Sequence, residues 1–145
     1  MPRILIADDD GITRHLLRLL LREHDYDVVG EASDGEAVRE LCDVLQPDMI
    51  CLDINMPKMS GLEVLCQIRS LHPRTAIVMI SASATHDNVR AALENGADGF
   101  IVKPFKAASV IDTIEGCIDA QGRRLKGGQP QNGGSIATGT ETDSQ

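Results

Sequence analysis

Five short runs in this chain, residues 4–7, 28–32, 49–52, 76–80 and 100–102, are apolar at nearly every position instead of at alternate ones. A strand with one face in water alternates, whereas a strand covered on both faces does not. The runs are therefore expected to form a parallel sheet, whose neighbouring strands need crossover connections, usually helices. The intervening stretches have the spacing to supply them. Leu16, Leu17, Leu20 and Leu21 mark the apolar face of a first helix, and Ala37, Val38, Leu41, Val44 and Leu45 that of a second. Leu62, Leu65, Ile68 and Leu71 mark a third, which opens on Ser60 and Glu63 at capping-box spacing. A shorter fourth over 87–95 would bury Val89, Ala92 and Leu93 and stop at Gly96, and Val110, Ile111, Ile114 and Ile118 mark a fifth. The sequence predicts an open, doubly wound α/β layer fold in one domain, since 145 residues are too few for two cores of ordinary size.

The pattern ends near Gln121. Beyond it the chain is rich in Gly, Ser, Thr, Gln and Asn without a hydrophobic period, and such a segment buries too little apolar surface to offset its ordering entropy. Residues 1–121 are expected to be the folded domain and 122–145 a flexible tail or linker. Only Glu141 and Asp143 of the 22 acids, and Arg123, Arg124 and Lys126 of the 14 bases, lie past that point, so the domain carries about −9. That charge, with Tyr26, Phe100 and Phe105 as its aromatic residues, argues against direct nucleic-acid binding. Cys42, Cys51, Cys66 and Cys117 form no CxxC pair, fall in segments whose period suggests burial, and read as small core hydrophobes in a reducing compartment. The first apolar run is too short for a signal peptide and no later run approaches a membrane span, so a cytoplasmic location without membrane contact is expected.

Ligands of an open parallel sheet bind outside the carboxyl ends of its strands. Here strand one ends in Asp8-Asp9-Asp10, strand three in Asp53, strand four in Ser81-Ala82-Ser83 and strand five in Lys103-Pro104. If strands one and three are neighbours, Asp8, Asp9 and Asp53 converge, with Ser81 and Lys103 facing them. Like charges about 4 Å apart repel by roughly 4 kcal/mol at an effective dielectric near 20, and Lys103 neutralises only one. Oxygen-rich sites with few carboxylates suit Mg²⁺, which often bridges to phosphate. A carboxylate can itself attack phosphorus, and Asp53 is the most central candidate. Each residue has an ordinary alternative: Asp8–Asp10 as a helix cap with first-turn acids, Asp53 as a loop cap, Lys103 as a solvated charge. Their joint placement at one sheet edge favours chemistry. His15, His24, His72 and His86 lack ligand spacing and read as surface or helix-end residues.

ILIADDD, LDINMPKMSG, ISAS and FIVKPF, in that order over residues 1–120, resemble the receiver domain of two-component response regulators. The resemblance implies a flavodoxin-like five-stranded sheet of order 2-1-3-4-5 with five helices, the order belonging to the chemotaxis member of that family. It implies that Asp53 accepts a phosphoryl group from a sensor histidine kinase or phosphotransfer protein. Mg²⁺ would be held by Asp9 directly, by Asp8 through water, by Asp53 and by the backbone carbonyl of Asn55. Lys103 would pair with the phosphoryl oxygens, Ser81 would hydrogen-bond one of them, and Lys103-Pro104 would be cis. Met56, Pro57 and Gly61 would shape a loop that leaves Asp53 exposed. Phosphorylation would draw Ser81 inward and let Phe100 fill the vacated space. That movement would alter the face of the fourth helix, fifth strand and fifth helix for a downstream effector protein, by packing alone because Phe100 lacks the hydroxyl of the Tyr common there.

Two rivals are open to the same residues. LIADDDGIT also resembles the first motif of haloacid-dehalogenase-like phosphatases, with Asp8 as nucleophile and Asp10 as general acid. That reading lacks a late pair of metal-binding acids, because Asp112, Glu115 and Asp119 follow the period of the last helix, and it leaves Asp53 and Lys103-Pro104 without a role. A binding module without phosphorylation is disfavoured by the intact Asp8, Asp9, Asp53 and Lys103 set.

Overall fold

The computed structural model of the protein describes residues 1–125 and 135–138, those beyond 120 as backbone alone. Strands β1 (Arg3–Ala7), β2 (Asp27–Ala32), β3 (Met49–Leu52), β4 (Ala76–Ser81) and β5 (Gly99–Val102) alternate with helices α1 (Gly11–Glu23), α2 (Gly35–Leu45), α3 (Gly61–Leu71), α4 (His86–Glu94) and α5 (Ala107–Leu125). All pairings are parallel, and the five strands stand in the expected order 2-1-3-4-5. A further short strand, β6 (Ser135–Thr138), pairs parallel with β5 and widens the sheet to six. Helix α5 also overruns the boundary expected at 121 and continues to Leu125. The rest of the expected tail, 126–134 and 139–145, lies outside the described residues.

The continuous apolar runs are explained by two cores, one on each face. Leu5, Ile50, Leu52, Ile77, Met79 and Phe100 pack with Val38, Cys42, Val64, Leu65, Ile68 and Ala92 of α2, α3 and α4. Ile4, Ile6, Met49, Val78, Ile80 and Ile101 pack on the other face with Leu17, Leu21, Val110, Ile114 and Cys117 of α1 and α5. Successive strand residues thus alternate between two dry environments, and each fully buried Leu, Ile or Val contributes about 1.5–3 kcal/mol.

Some expected core positions fall outside these interfaces. Leu16 and Val44 are exposed, because at 3.6 residues per turn each is rotated about 100–120° from a buried position of its helix, Leu17 and Val38 respectively. Leu71, the last residue of α3, is exposed although it follows the buried stripe of Val64 and Ile68, and Cys66, expected in the core, is turned about 100° from the buried Leu65 and is also exposed. Cys42, Cys51 and Cys117 are buried free thiols as anticipated, with burial pushing the Cys51 thiol up to about 12. The capping box at the start of α3 forms, Ser60 Oγ accepting from the Glu63 N–H and Glu63 accepting from the Ser60 N–H.

Gly61 is the tightest backbone approach near the acidic edge. Its N–H donates to the Ile54 carbonyl at 2.7 Å, and a Cβ there would lie 2.0 Å from the Asp53 carbonyl oxygen and 2.7 Å from Ile54 Cα. Both neighbours are backbone, so neither can swing aside. Gly61→Ala is expected to cost about 1–3 kcal/mol, the usual scale of forced overpacking, in urea unfolding. A loss below about 0.5 kcal/mol, the scale of neutral surface changes, would show that the loop yields freely.

Candidate functional site

Strand register delivers the chemical groups. Ala7 pairs with Leu52, so Asp8 and Asp53 leave adjacent strands at one level, and the Asp53 N–H donates to the Ala7 carbonyl at 3.0 Å. Ser81 pairs with Val102, and its carbonyl accepts the Lys103 N–H at 3.0 Å. The convergence expected if strands one and three were neighbours is therefore built into the sheet.

Lys103 Nζ lies 2.6 Å from Asp8 Oδ2 and 3.4 Å from Asp53 Oδ2. Carboxylate oxygens of Asp8, Asp9 and Asp53 all fall within 4.8 Å of one another. Asp8 and Asp53 are only 1% and 5% exposed, while Asp9 faces solvent. Asp53 is thus nearly buried, contrary to the exposed position expected. It follows a fully buried strand, accepts the Asn55 N–H at 3.3 Å and pairs with Lys103, which together hold the carboxylate down in the crevice. One ammonium facing three carboxylates leaves net negative charge on hard oxygen donors. That donor set fits a divalent cation such as Mg²⁺.

The aspartate triplet divides its labour. Asp10 is the N-cap of α1, accepting from Ile12 N–H at 3.1 Å and from Thr13 Oγ1 at 2.9 Å, so the ordinary reading holds for it. The Thr13 hydroxyl and Ile12 N–H keep its carboxyl below the usual range. Asp53 moves the opposite way: burial raises it, Lys103 pulls it down, Asp8 raises it again, and the net is upward. At Lys103, burial alone would lower the ammonium, but the hydrogen bond to Asp8 and the charge of Asp53 outweigh it and the net is upward.

Ser81 is fully buried, and its Oγ accepts the Ser83 N–H at 3.0 Å. Ser83 Oγ in turn accepts from Asn55 Nδ2 at 2.6 Å. Phe100 is fully buried in the core on the α2–α4 face, and Lys103-Pro104 is cis. Two participants were not anticipated. Arg14 donates to the Asp8 carbonyl at 2.6 Å and pairs with Glu31 at 3.3 Å; its position one turn after the Asp10 cap was the available signal. Asn88 donates from Nδ2 to the Ser83 carbonyl at 3.0 Å, and nothing in the sequence marked that contact.

The sequence profile of the response regulator receiver domain matches residues 4–115. The chain belongs to that family, the receiver domains of two-component signalling. It is 40% identical over 116 residues to the chemotaxis protein CheY of Listeria monocytogenes, covering 79% of this chain and 97% of that one. It is 39% identical over 114 residues to the transcriptional regulatory protein PdtaR of Mycobacterium tuberculosis, a match of 78% of this chain to 55% of the longer relative. Among solved structures, the receiver domain of the putative response regulator NarL from Mycobacterium tuberculosis superposes with a TM-score of 0.76 at 34% identity, over 81% of this chain and 96% of that one.

The upward shift of Asp53 has a definite sign in stability. A carboxyl raised on folding favours the native state below its ordinary value, and that contribution is lost as pH rises through the raised one. Asp53→Asn is therefore expected to be more stable than the parent at neutral pH, with the gain fading as pH falls toward the ordinary carboxylate range. Urea midpoints across that range measure it. A variant less stable at neutral pH would mean that attraction to Lys103 outweighs burial.

Proposed function

We propose that Asp53 is the phosphoacceptor of a Mg²⁺-dependent receiver. A sensor histidine kinase or phosphotransfer protein is the donor, and the output is a protein-binding face made by α4, β5 and α5. The observation that carries this reading is the shared ammonium, Lys103 Nζ, between the buried Asp8 and Asp53. An Asp53 oxygen forms the new bond to phosphorus as the P–N bond of the donor phosphohistidine breaks, the electron pair leaving with the imidazole. Lys103 balances charge on the acceptor before transfer and on the phosphoryl oxygens after it. Ser81 supplies a hydroxyl one strand away. Asp8, Asp9, Asp53 and the Asn55 carbonyl would hold Mg²⁺, which when bound offsets the charge of the incoming phosphoryl group.

The chain assists this transfer as substrate and scaffold and is not an enzyme acting on a separate molecule. The receiver unit, expected to end at residue 121, extends through α5 to Leu125 and takes in Ser135–Thr138 as a sixth strand. Its place is the cytoplasm, consistent with buried free thiols and with no described helix long and apolar enough to cross a membrane. The phosphatase alternative is weakened by Asp10, whose two oxygens are engaged as a cap, and by Asp112, Glu115 and Asp119, which lie exposed on α5.

A small phosphodonor with Mg²⁺ is expected to place one acid-stable, base-labile phosphoryl group on Asp53, and Asp53→Ala to abolish it. Labelling that survives Asp53→Ala and disappears in Asp8→Ala would support the phosphatase reading instead. Mg²⁺ at ten times its dissociation constant should stabilise the fold by roughly 1.4 kcal/mol. Asp9→Asn should raise stability without metal by relieving repulsion and shrink the Mg²⁺ response. Equal thermal shifts with Mg²⁺ in the two proteins would remove Asp9 from the metal site.

A further inference from the structure

Ser83 is tied on three sides. Its N–H donates to Ser81 Oγ on β4 at 3.0 Å, its hydroxyl accepts from the Asn55 amide of the acceptor loop at 2.6 Å, and its carbonyl accepts from Asn88 Nδ2 at 3.0 Å. Two of these ties reach residues beside Asp53. The third reaches into the first turn of α4, where Asn88 also donates its backbone N–H to the Thr85 cap at 3.1 Å.

Helix α4 is otherwise lightly held. Ala92 is its one buried residue, with Val89 and Leu93 partly buried. An element with so little apolar burial sits at the low end of local stability, and its position depends strongly on its few polar anchors. An amide donor on a loop carbonyl is directional, so a displacement of Ser83 is passed to the helix start.

We propose that Asn88 is a positioning residue that transmits the phosphorylation state of Asp53 to α4 through the Ser83 carbonyl. The proposal rests on the phosphoacceptor reading. Once Ser81 Oγ moves toward a phosphoryl oxygen, the Ser83 N–H bonded to it must follow or let go, and the Asn55 bond above it is perturbed by the same event. Asn88 carries that shift into the helix. Asn88 touches neither Asp53 nor Lys103 in any hydrogen bond of the site, so its loss leaves acceptance of the phosphoryl group intact while uncoupling the response.

The test compares amide spectra of the full chain with and without beryllofluoride and Mg²⁺, a phosphoryl mimic, in the parent, Asn88→Ala and Asn88→Asp. The Asp variant keeps the volume, removes the donor and places a carboxylate in the first turn of α4, where the helix dipole favours it, so the helix start is preserved. In the parent, shifts are expected at residues 53–55, 81–83 and 89–94. In both variants, those at 53–55 and 81–83 persist with the mimic's affinity within about threefold, while those at 89–94 fall to under a third. Full shifts at 89–94 in Asn88→Asp would overturn the role of Asn88, as would a loss of mimic affinity tenfold or more. Should Asn88→Ala disrupt α4 without ligand, the Asp variant decides. If the mimic leaves residues 53–55 of the parent unshifted, the phosphoacceptor reading falls and the coupling with it. Shifts at 53–55 with α4 still in the parent overturn the coupling alone.

Discussion

The ammonium of Lys103 is the contact on which the acidic edge of this sheet depends. Without it, Asp8 and Asp53 would face each other across neighbouring strands, nearly dry and unneutralised, at a cost that like charges in a low-dielectric site make large. With it, one cation serves two carboxylates, and the third, Asp9, stays in solvent. The arrangement is held by register: β4–β5 pairing places Lys103 after Val102, opposite Ser81, and β1–β3 pairing sets the two acids level. A single residue of slippage in either pair would separate charge from countercharge.

The remaining excess of negative charge is what makes the crevice receptive. A fully neutralised site would exert no electrostatic pull on a divalent ion, and a less neutralised one would destabilise the fold. The opposite shifts of Asp10 and Asp53 show how finely placement decides the outcome within one cluster. Asp10, in water with two donors, is held ionised. Asp53, sunk at the end of a buried strand, resists ionisation until Lys103 partly restores it.

Much of this was legible in the sequence because it rests on periodicity and strand ends. Continuous apolar runs told that both faces are covered, and the residues following them told what the edge contains. Helix faces were read less well: Leu16, Val44 and Cys66 belong to the right helices but lie at the wrong rotation, and an apolar stripe does not state where its margin falls. The burial of Asp53 was missed because loop residues are exposed by default, and only the folded-back path through Gly61 and the pull of Lys103 change that. The Asn88 contact reaches a backbone carbonyl, which carries no signature in a sequence, and the Arg14 contact had only its spacing from Asp10 to mark it. Strand β6 was missed for a related reason, since Ser135–Thr138 is short, partly polar and set among glycines, with nothing but its partner to define it.

That sixth strand changes what the sheet offers at its margins. An open edge presents a row of unpaired N–H and C=O groups on which another chain can grow. With β6 in place, the apolar sequence of β5, Gly99–Val102, is no longer the boundary. The new boundary is a strand of four residues. At the opposite margin, β2 carries Asp27 and Glu31 and pairs with β1 through a register shift between Ile4 and Leu5. A short strand at one margin and a charged, irregularly paired one at the other both make poor templates for edge-to-edge pairing with another chain.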